Sequence, residues 1–403
     1  MARICLIRQG RYPQDPRLHK EIQALVGAGH EVDMICAGSA PEARFERVDG
    51  IDVHRLPITR RRGSPLRYVL QYAAFIVAAA LLAAKLGLRR RYDVVQVNSP
   101  PEALVFAAVV PRLLGARVLL NLLECMPEFL AMKYRLRATH PAVRLMTLVE
   151  RASIAFADRA FTCNSLMRHT FLTRGAPADK IEEVLLSADE AIFDPALYPD
   201  EGRRSEQFDL IYTGTLEESL GADTLVRAVG LLRDQIPNLH LRIFGNGTLR
   251  PEIERLIAEL GLEGRVELSR GFVPIPELVA AVASADVGVV PTKRNAYRDL
   301  THSTKMFDLI AMRKPVIIAR TRSVEAYFDD SCVRSFESAN AQDLARAIRE
   351  LYADPGLCER LVRRAAEVSE PYRWVHQRER YLRIVAELIP SPVARREPVV
   401  EDA

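Results

Sequence analysis

The run Ser303-Thr304-Lys305-Met306-Phe307-Asp308-Leu309-Ile310-Ala311-Met312-Arg313-Lys314-Pro315-Val316-Ile317-Ile318-Ala319 admits few readings. Ser303 or Thr304 can cap a helix, because a hydroxyl there accepts a bond from an orphan backbone N–H. Met306, Phe307, Leu309, Ile310 and Met312 recur at helical spacing and give an apolar face. Pro315 halts that helix, and the four apolar residues after it form a strand fit for burial on both faces, as in a parallel sheet covered by helices. A helix N-terminus with a lysine in its first turn favours an anionic group such as phosphate. Asp308, one turn further in, carries a carboxylate able to accept bonds from a ribose. The pattern points to a nucleotide diphosphate. An ordinary capped helix–strand unit with a surface lysine would show the same residues.

A chain of 403 residues is too long for one core and suits two domains. The polar stretch from Pro199 to Gln207 is the natural linker, so residues 1–198 read as a first domain and 207–371 as a second. Pro390 to Ala403, with three prolines and mixed charge, reads as a disordered tail. Both domains alternate strands and helices. Arg3 to Arg8 is a strand, followed by a loop with Gly10 and a helix from Leu18 to Ala28. The strand from Glu31 to Cys36 completes the opening of a Rossmann-like unit. In the second domain Gly214 and Thr215 follow the strand from Phe208, and Gly214 lets backbone approach a ligand closely. Thr292, Lys293 and Arg294 follow a further strand, at the C-terminal edge where open α/β sheets bind ligands.

Six scattered cysteines, with no C-x-x-C and no histidine at metal spacing, read as buried thiols of a reducing compartment. Met1-Ala2-Arg3 leads straight into a strand, and the expected location is the cytoplasm. Residues 1–150 carry 22 Lys and Arg against 13 Asp and Glu, leaving 34 against 39 in the remainder. A basic first half favours an anionic substrate or surface. No aromatic–basic interleaving accompanies it, and nucleic acid is not expected as a partner.

Tyr68 to Ala84 contains no charged residue and is flanked by Arg60-Arg61-Arg62, Arg67, Lys85 and Arg89-Arg90-Arg91. Its length is at the lower edge for a bilayer span, about 17 residues, and basic clusters on both sides conflict with a single crossing. Three readings stand: a span, a helix docked on the inner leaflet, and a helix buried in its domain. The docked helix, a peripheral membrane contact, is favoured.

The Lys305–Ile317 segment is similar to the "K-L-F-E-Y-M-A-x-G-K-P-V-I" signature of family 4 glycosyltransferases, with Asp308 for the family's Glu and Arg313 for its Gly. Asp15-Pro16-Arg17, the Gly29-His30-Glu31-Val32 turn, Gly245-Asn246-Gly247 and the Ala157-Asp158 segment also resemble that family, so the likeness covers roughly residues 1–388. It implies the GT-B fold: two Rossmann-like domains facing across a cleft, with a C-terminal helix, here 372–389, crossing back to the first. It implies a retaining transfer from a nucleotide-diphosphate sugar, without a metal or other cofactor, to a glycan or lipid-linked acceptor, as in cell-surface polysaccharide or glycolipid synthesis.

The resemblance, together with the position and charge of residues such as Lys293, Arg294, Arg11 and Arg17, suggests a site. Gly214, Thr215, Gly245, Asn246, Gly247, Thr292, Lys293, Arg294, Ser303, Thr304, Lys305 and Asp308 would hold the donor. Gly10, Arg11, Arg17, Asn98, Glu124 and Glu128 would face the acceptor, and Lys305, Asp308 and Glu124 would act in the reaction. The chain departs from the family at Leu123 (a His there), at Leu220 (a Lys), and at Leu300, where a first carboxylate belongs and Asp299 is one residue out of register. These departures keep two rivals open: a non-catalytic GT-B relative that binds a sugar nucleotide or a partner, and a sugar-nucleotide epimerase or hydrolase.

Overall fold

The computed structural model describes residues 1–39, 41–58, 65–198, 206–271 and 273–390. Arg60–Arg62, linker residues 199–205 and tail residues 391–403 lie outside the described residues. The chain divides into two compact units: residues up to Leu185 with the chain from Val375 onward, and Leu186–Trp374. The break therefore falls earlier than position 198, because the segment after Leu186 packs on the second unit. Glu190 pairs with Arg373 there, and Ser187, Ala188 and Phe193 wall a cavity with Phe307, Ile310 and Tyr372.

The first unit holds an eight-stranded sheet built from β1 (Arg3–Arg8), β2 (Glu31–Ala37), β3 (Phe45–Val48), β4 (Ile51–Leu56), β5 (Val94–Asn98), β6 (Arg117–Leu122), β7 (Arg159–Thr162) and β8 (Ile181–Glu183). Its order is β3-β4-β2-β1-β5-β6-β7-β8, parallel apart from β3. The hairpin β3–β4 was not anticipated, because β3 leaves Phe45, Glu46 and Arg47 exposed and carries no buried alternation. The second unit has six parallel strands: β9 (Phe208–Thr213), β10 (Leu239–Phe244), β11 (Val266–Leu268), β12 (Val287–Val290), β13 (Val316–Ala319) and β14 (Arg334–Phe336). Their order, β11-β10-β9-β12-β13-β14, is that of a doubly wound dinucleotide-type sheet. All four residues of β12 and of β13 are buried, as central parallel strands require.

In such sheets the chain leaves its first strand in opposite directions, and a crevice opens at the carboxyl ends of the strands on either side. In the second unit that switch point lies between β9 and β12. In the first it lies between β1 and β5.

The last helix runs Trp374–Leu388, after a 3-10 turn at Glu370–Tyr372. It belongs to the first unit from Val375. Tyr381, fully buried, donates its hydroxyl to Gln96 Oε1 at 2.7 Å, and Gln377 Oε1 accepts from the Leu185 backbone N–H at 2.9 Å.

The apolar segment forms a 26-residue helix, Pro65–Arg90. Phe75, Ala79, Ala83 and Leu86 make one buried stripe, while Val69, Leu70, Val77, Leu81 and Leu88 are exposed. Only 22% of its most apolar stretch is buried, so the reading of a helix enclosed by its domain does not hold. Of the flanking cations, Arg90 is committed to Asp33 and Asp52 at 2.7 and 2.8 Å.

Candidate active site

The second unit places its expected donor residues around the switch point. Gly214 follows β9 with φ +152°, and the Tyr212 hydroxyl donates to Thr215 O at 2.9 Å to close the loop. Gly245 and Gly247 answer first to protein neighbours. A Cβ on Gly245 would stand 1.9 Å from Gly214 O, and one on Gly247 2.2 Å from Leu216 O. The turn after β10 thus presses against the loop after β9, and its glycines are required by protein backbone. Asn246 is exposed and turns inward on its own loop, its Oδ1 accepting from Gly247 N.

Gly221 locks the same loop to the end of β12. Its φ is +73°, and a Cβ there would lie 1.8 Å from Pro291 O. Lys293 N donates to Ser219 O at 3.0 Å. The loops after β9 and β12 therefore form one assembly.

The cations expected to hold a diphosphate are partly committed. Lys293 Nζ lies 2.6 Å from Asp223 Oδ2, in the first turn of the helix Ala222–Leu232. Arg294 is forked onto both oxygens of Asp299 at 2.9 and 3.1 Å. This also accounts for Asp299: the off-register carboxylate holds Arg294 and accepts from Arg322 N. Thr292 is buried, and its carbonyl accepts from Ser338 Oγ.

Ser303 caps the helix Thr304–Ala311, its hydroxyl accepting from Lys305 N at 3.3 Å. Lys305 and Asp308 pair on that helix. Beside it, His302 meets the rings of Phe307 and Tyr327 edge-on. Burial pushes its imidazole down to about 4, with the Leu186 backbone opposing, so it is neutral at pH 7.

Arg298, which the sequence reading passed over, reaches back to the first of these loops, its Nη2 donating to Ser219 Oγ at 3.3 Å. Its signal was present: it is the third cation in the loop that opens with Lys293 and Arg294.

In the first unit the switch point gathers charge. Arg8, at the end of β1, is buried; its Nη2 lies 2.8 Å from Asp15 Oδ2 and its Nη1 donates to Ser99 O. Asp15 caps the helix Pro16–Gly27 by accepting from Arg17 N, and it also receives Arg17 Nε at 3.3 Å. Burial works to raise the Asp15 carboxyl, but Arg8 and then Arg17 hold it below the usual carboxylate range. Glu124 lies near enough to Arg8 and Arg17 to bias both guanidinium groups toward the charged form. Arg17 and Glu124 are thus brought together, with Arg8 as a third member that the sequence reading missed. Gly10 covers Arg8, a Cβ there standing 3.1 Å from Nε.

Three expected acceptor residues are engaged elsewhere. Asn98 is wholly buried and donates to Glu21 Oε2 at 2.7 Å. Glu128 pairs with Arg174, which also forks onto Glu150. Arg11 is held by Ser39 and Glu42. Glu102, at the carboxyl end of β5, is fully buried, and that burial raises it to about 8. Among the described residues no group of three or more His, Cys, Asp or Glu is placed to hold a metal ion.

Two families match, in tandem. The one described as "Glycosyl transferase 4-like domain" covers residues 15–185, and "Glycosyl transferases group 1" covers 207–354. A D-inositol 3-phosphate glycosyltransferase of Arthrobacter sp. (strain FB24) is 26% identical over 243 residues, 57% of this chain and 54% of that protein. A GDP-mannose-dependent alpha-(1-6)-phosphatidylinositol monomannoside mannosyltransferase of Mycolicibacterium smegmatis is 27% identical over 209 residues, 49% and 54% of the two. The chain thus spans about half the length of these curated relatives. The sucrose-phosphate synthase structure from Thermosynechococcus elongatus superposes with a TM-score of 0.74 at 21% identity, over 96% of this chain and 99% of that one.

Proposed function

We infer that this chain, which belongs to the family 4 glycosyltransferases and has their GT-B fold, moves a sugar from a nucleotide-diphosphate donor to a glycan or lipid-linked acceptor, with retention at the anomeric carbon. The observation that carries the reading is the assembly at the second unit's switch point. Two loops fixed to each other by backbone contact at Gly221 and Pro291 lie at the carboxyl ends of β9 and β12, in a segment that leads to the capped helix bearing Lys305. Fixed cations and N–H groups aimed at a departing diphosphate stabilise charge without reorganising, often the largest catalytic contribution. The acceptor would meet Arg8, Arg17 and Glu124, with Glu124 orienting its hydroxyl.

A lipid-linked acceptor fits the exposed apolar face of the helix Pro65–Arg90, whose ends carry Arg67, Arg89 and Arg91. An exposed apolar face with basic ends suits the headgroup region of an anionic leaflet, which supports a peripheral location on the inner face of the cytoplasmic membrane. The mannosyltransferase relative, named for a phosphatidylinositol-linked acceptor, supports the same direction.

The test is a thermal-shift screen against UDP, GDP, ADP, TDP and CMP, with and without Mg²⁺, since a ligand bound only by the folded state raises its stability. A selective shift with one nucleoside diphosphate supports donor binding and names the donor class for transfer assays. The departures at Leu123, Leu220 and Leu300 favour one rival, a non-catalytic relative. Nucleotide binding with no transfer to extracted lipids or glycans would establish it, and no shift with any nucleotide would sink the donor site.

A further inference from the structure

We propose that Arg298 supplies the charge that meets the donor diphosphate in this chain, in place of the cations that the loop after β9 lacks. The inference rests on the glycosyltransferase reading above and assigns a residue within it. Four cations stand between the end of β12 and the first turn of the Thr304–Ala311 helix: Lys293, Arg294, Arg298 and Lys305. Three are matched by carboxylates, Lys293 by Asp223, Arg294 by Asp299 and Lys305 by Asp308. Among the described residues Arg298 has no carboxylate partner. Its bonds go to neutral groups.

Its position is the second argument. Ser219, which accepts from Arg298 Nη2, immediately precedes Leu220, the position at which the family resemblance implies a lysine. The guanidinium is also close enough to Tyr212 to oppose, by its charge, the rise that burial imposes on that phenol. Tyr212 is the residue whose hydroxyl holds Thr215 O. A positive charge thus returns to the Gly214–Gly221 loop from a neighbouring segment.

The third argument is preorganisation. Asn295 Oδ1 accepts from Tyr297 N and Arg298 N at 3.1 and 2.9 Å. Ser323 Oγ lies 3.3 Å from Arg298 O and 3.2 Å from Thr301 O, a donor shared between them. The guanidinium lies over the buried Tyr297 ring, 5.1 Å from its centroid. Its Nε is enclosed without a hydrogen-bond partner. A guanidinium with donors to spare, fixed in direction, matches the oxygens of a phosphate better than a flexible ammonium does.

The experiment is calorimetric titration of the full chain and its Arg298→Ala, Arg298→Gln and Arg298→Lys variants with UDP, GDP and ADP, and with the corresponding nucleosides. For whichever diphosphate binds, Arg298→Ala should weaken it roughly ten- to a hundredfold, the loss of one charge-assisted contact. Nucleoside binding should stay unchanged, and Arg298→Lys should recover part of the loss. Arg298→Gln keeps a donor for Ser219 Oγ but no charge, and decides the matter should the alanine variant fail to fold. Equal losses for diphosphate and nucleoside would reduce Arg298 to a clamp on Ser219 and overturn the proposal. So would unchanged binding in Arg298→Ala, or a larger loss in Lys293→Ala. Failure of the unmodified protein to bind any of the three would instead overturn the donor reading beneath it.

Discussion

Lys305 Nζ lies 3.1 Å from Asp308 Oδ2, three residues along one helix and just inside its N-terminal cap. The pair sets a lysine where helix dipole and cap both favour an anion, and it holds the Asp308 carboxylate, which the sequence suggests for a ribose, in a fixed direction. Replacing Lys305 by Ala should lower turnover about a hundredfold, the usual cost of one transition-state donor. The melting temperature should move by only a few degrees, because Lys305 is partly exposed and its i,i+3 pair contributes little to stability. Turnover and a thermal melt on the same preparation check this, and undiminished turnover would remove Lys305 from the site.

Glu124→Gln should raise the acceptor KM or lower kcat by about tenfold or more, as expected on losing an orienting or proton-accepting carboxylate. Affinity for the nucleoside diphosphate should not change, since Glu124 lies in the first unit with Arg8 and Arg17. A loss of donor affinity equal to the loss of turnover would count against the acceptor role.

Gly221→Ala and Gly245→Ala should destabilise the second unit by about 1–3 kcal/mol or more, because each new Cβ would meet a backbone oxygen closer than 2 Å. Had these glycines only cleared space for a ligand, both variants would melt normally and lose affinity alone. Melting curves without ligand separate the two outcomes.

Glu21 is fully enclosed and accepts amide donors from Gln96, Asn98 and Asn121. Burial, partly offset by Asn98 and Arg8, raises its carboxyl to about 7. A carboxyl raised above its unfolded value gives stability that is complete below about pH 4.5 and is lost as pH climbs through 7. At this shift the loss is on the order of 3 kcal/mol. The difference in unfolding free energy between the unmodified protein and Glu21→Gln should therefore move in favour of the variant as pH rises from 4.5 to 7.5. A pH-independent difference would refute the buried proton.

Val77→Asp combined with Leu81→Asp puts two charges on the exposed face of the helix Pro65–Arg90 without touching its buried stripe. Sedimentation with vesicles containing anionic lipid should fall at least tenfold, given the apolar area removed from contact. Circular dichroism should stay unchanged. Equal sedimentation of the two proteins would take this helix out of any membrane contact.

The parts that were legible in the sequence are those decided locally. The Ser303 cap and the double burial of β13 follow from neighbours within a turn or a strand, and they stand where expected, whereas the helix ends at Ala311, ahead of Pro315, where Arg313 turns to φ +55°. The fate of a polar side chain at a strand or helix end is decided by a partner far along the chain. Asn98 answers to Glu21, Glu128 to Arg174 and Lys293 to Asp223, at separations of 77, 46 and 70 residues. No local pattern announces such partners, and resemblance to a family does not supply them. Gly245 and Gly247 show the same limit: a glycine's need for space is visible in sequence, but the backbone oxygens of Gly214 and Leu216 that stand beside them are not.

Because the second unit is inserted within the first, order of synthesis matters. Residues from Val375 onward leave the ribosome only after the whole of Leu186–Trp374. Until then Gln96 lacks the Tyr381 hydroxyl and the Leu185 N–H lacks Gln377. The nascent first unit must wait, one helix short, while the second is translated and has the chance to fold as a unit. A chain released early, even one with its entire second unit made, would carry an unsealed first sheet, and quality-control proteases would find it there.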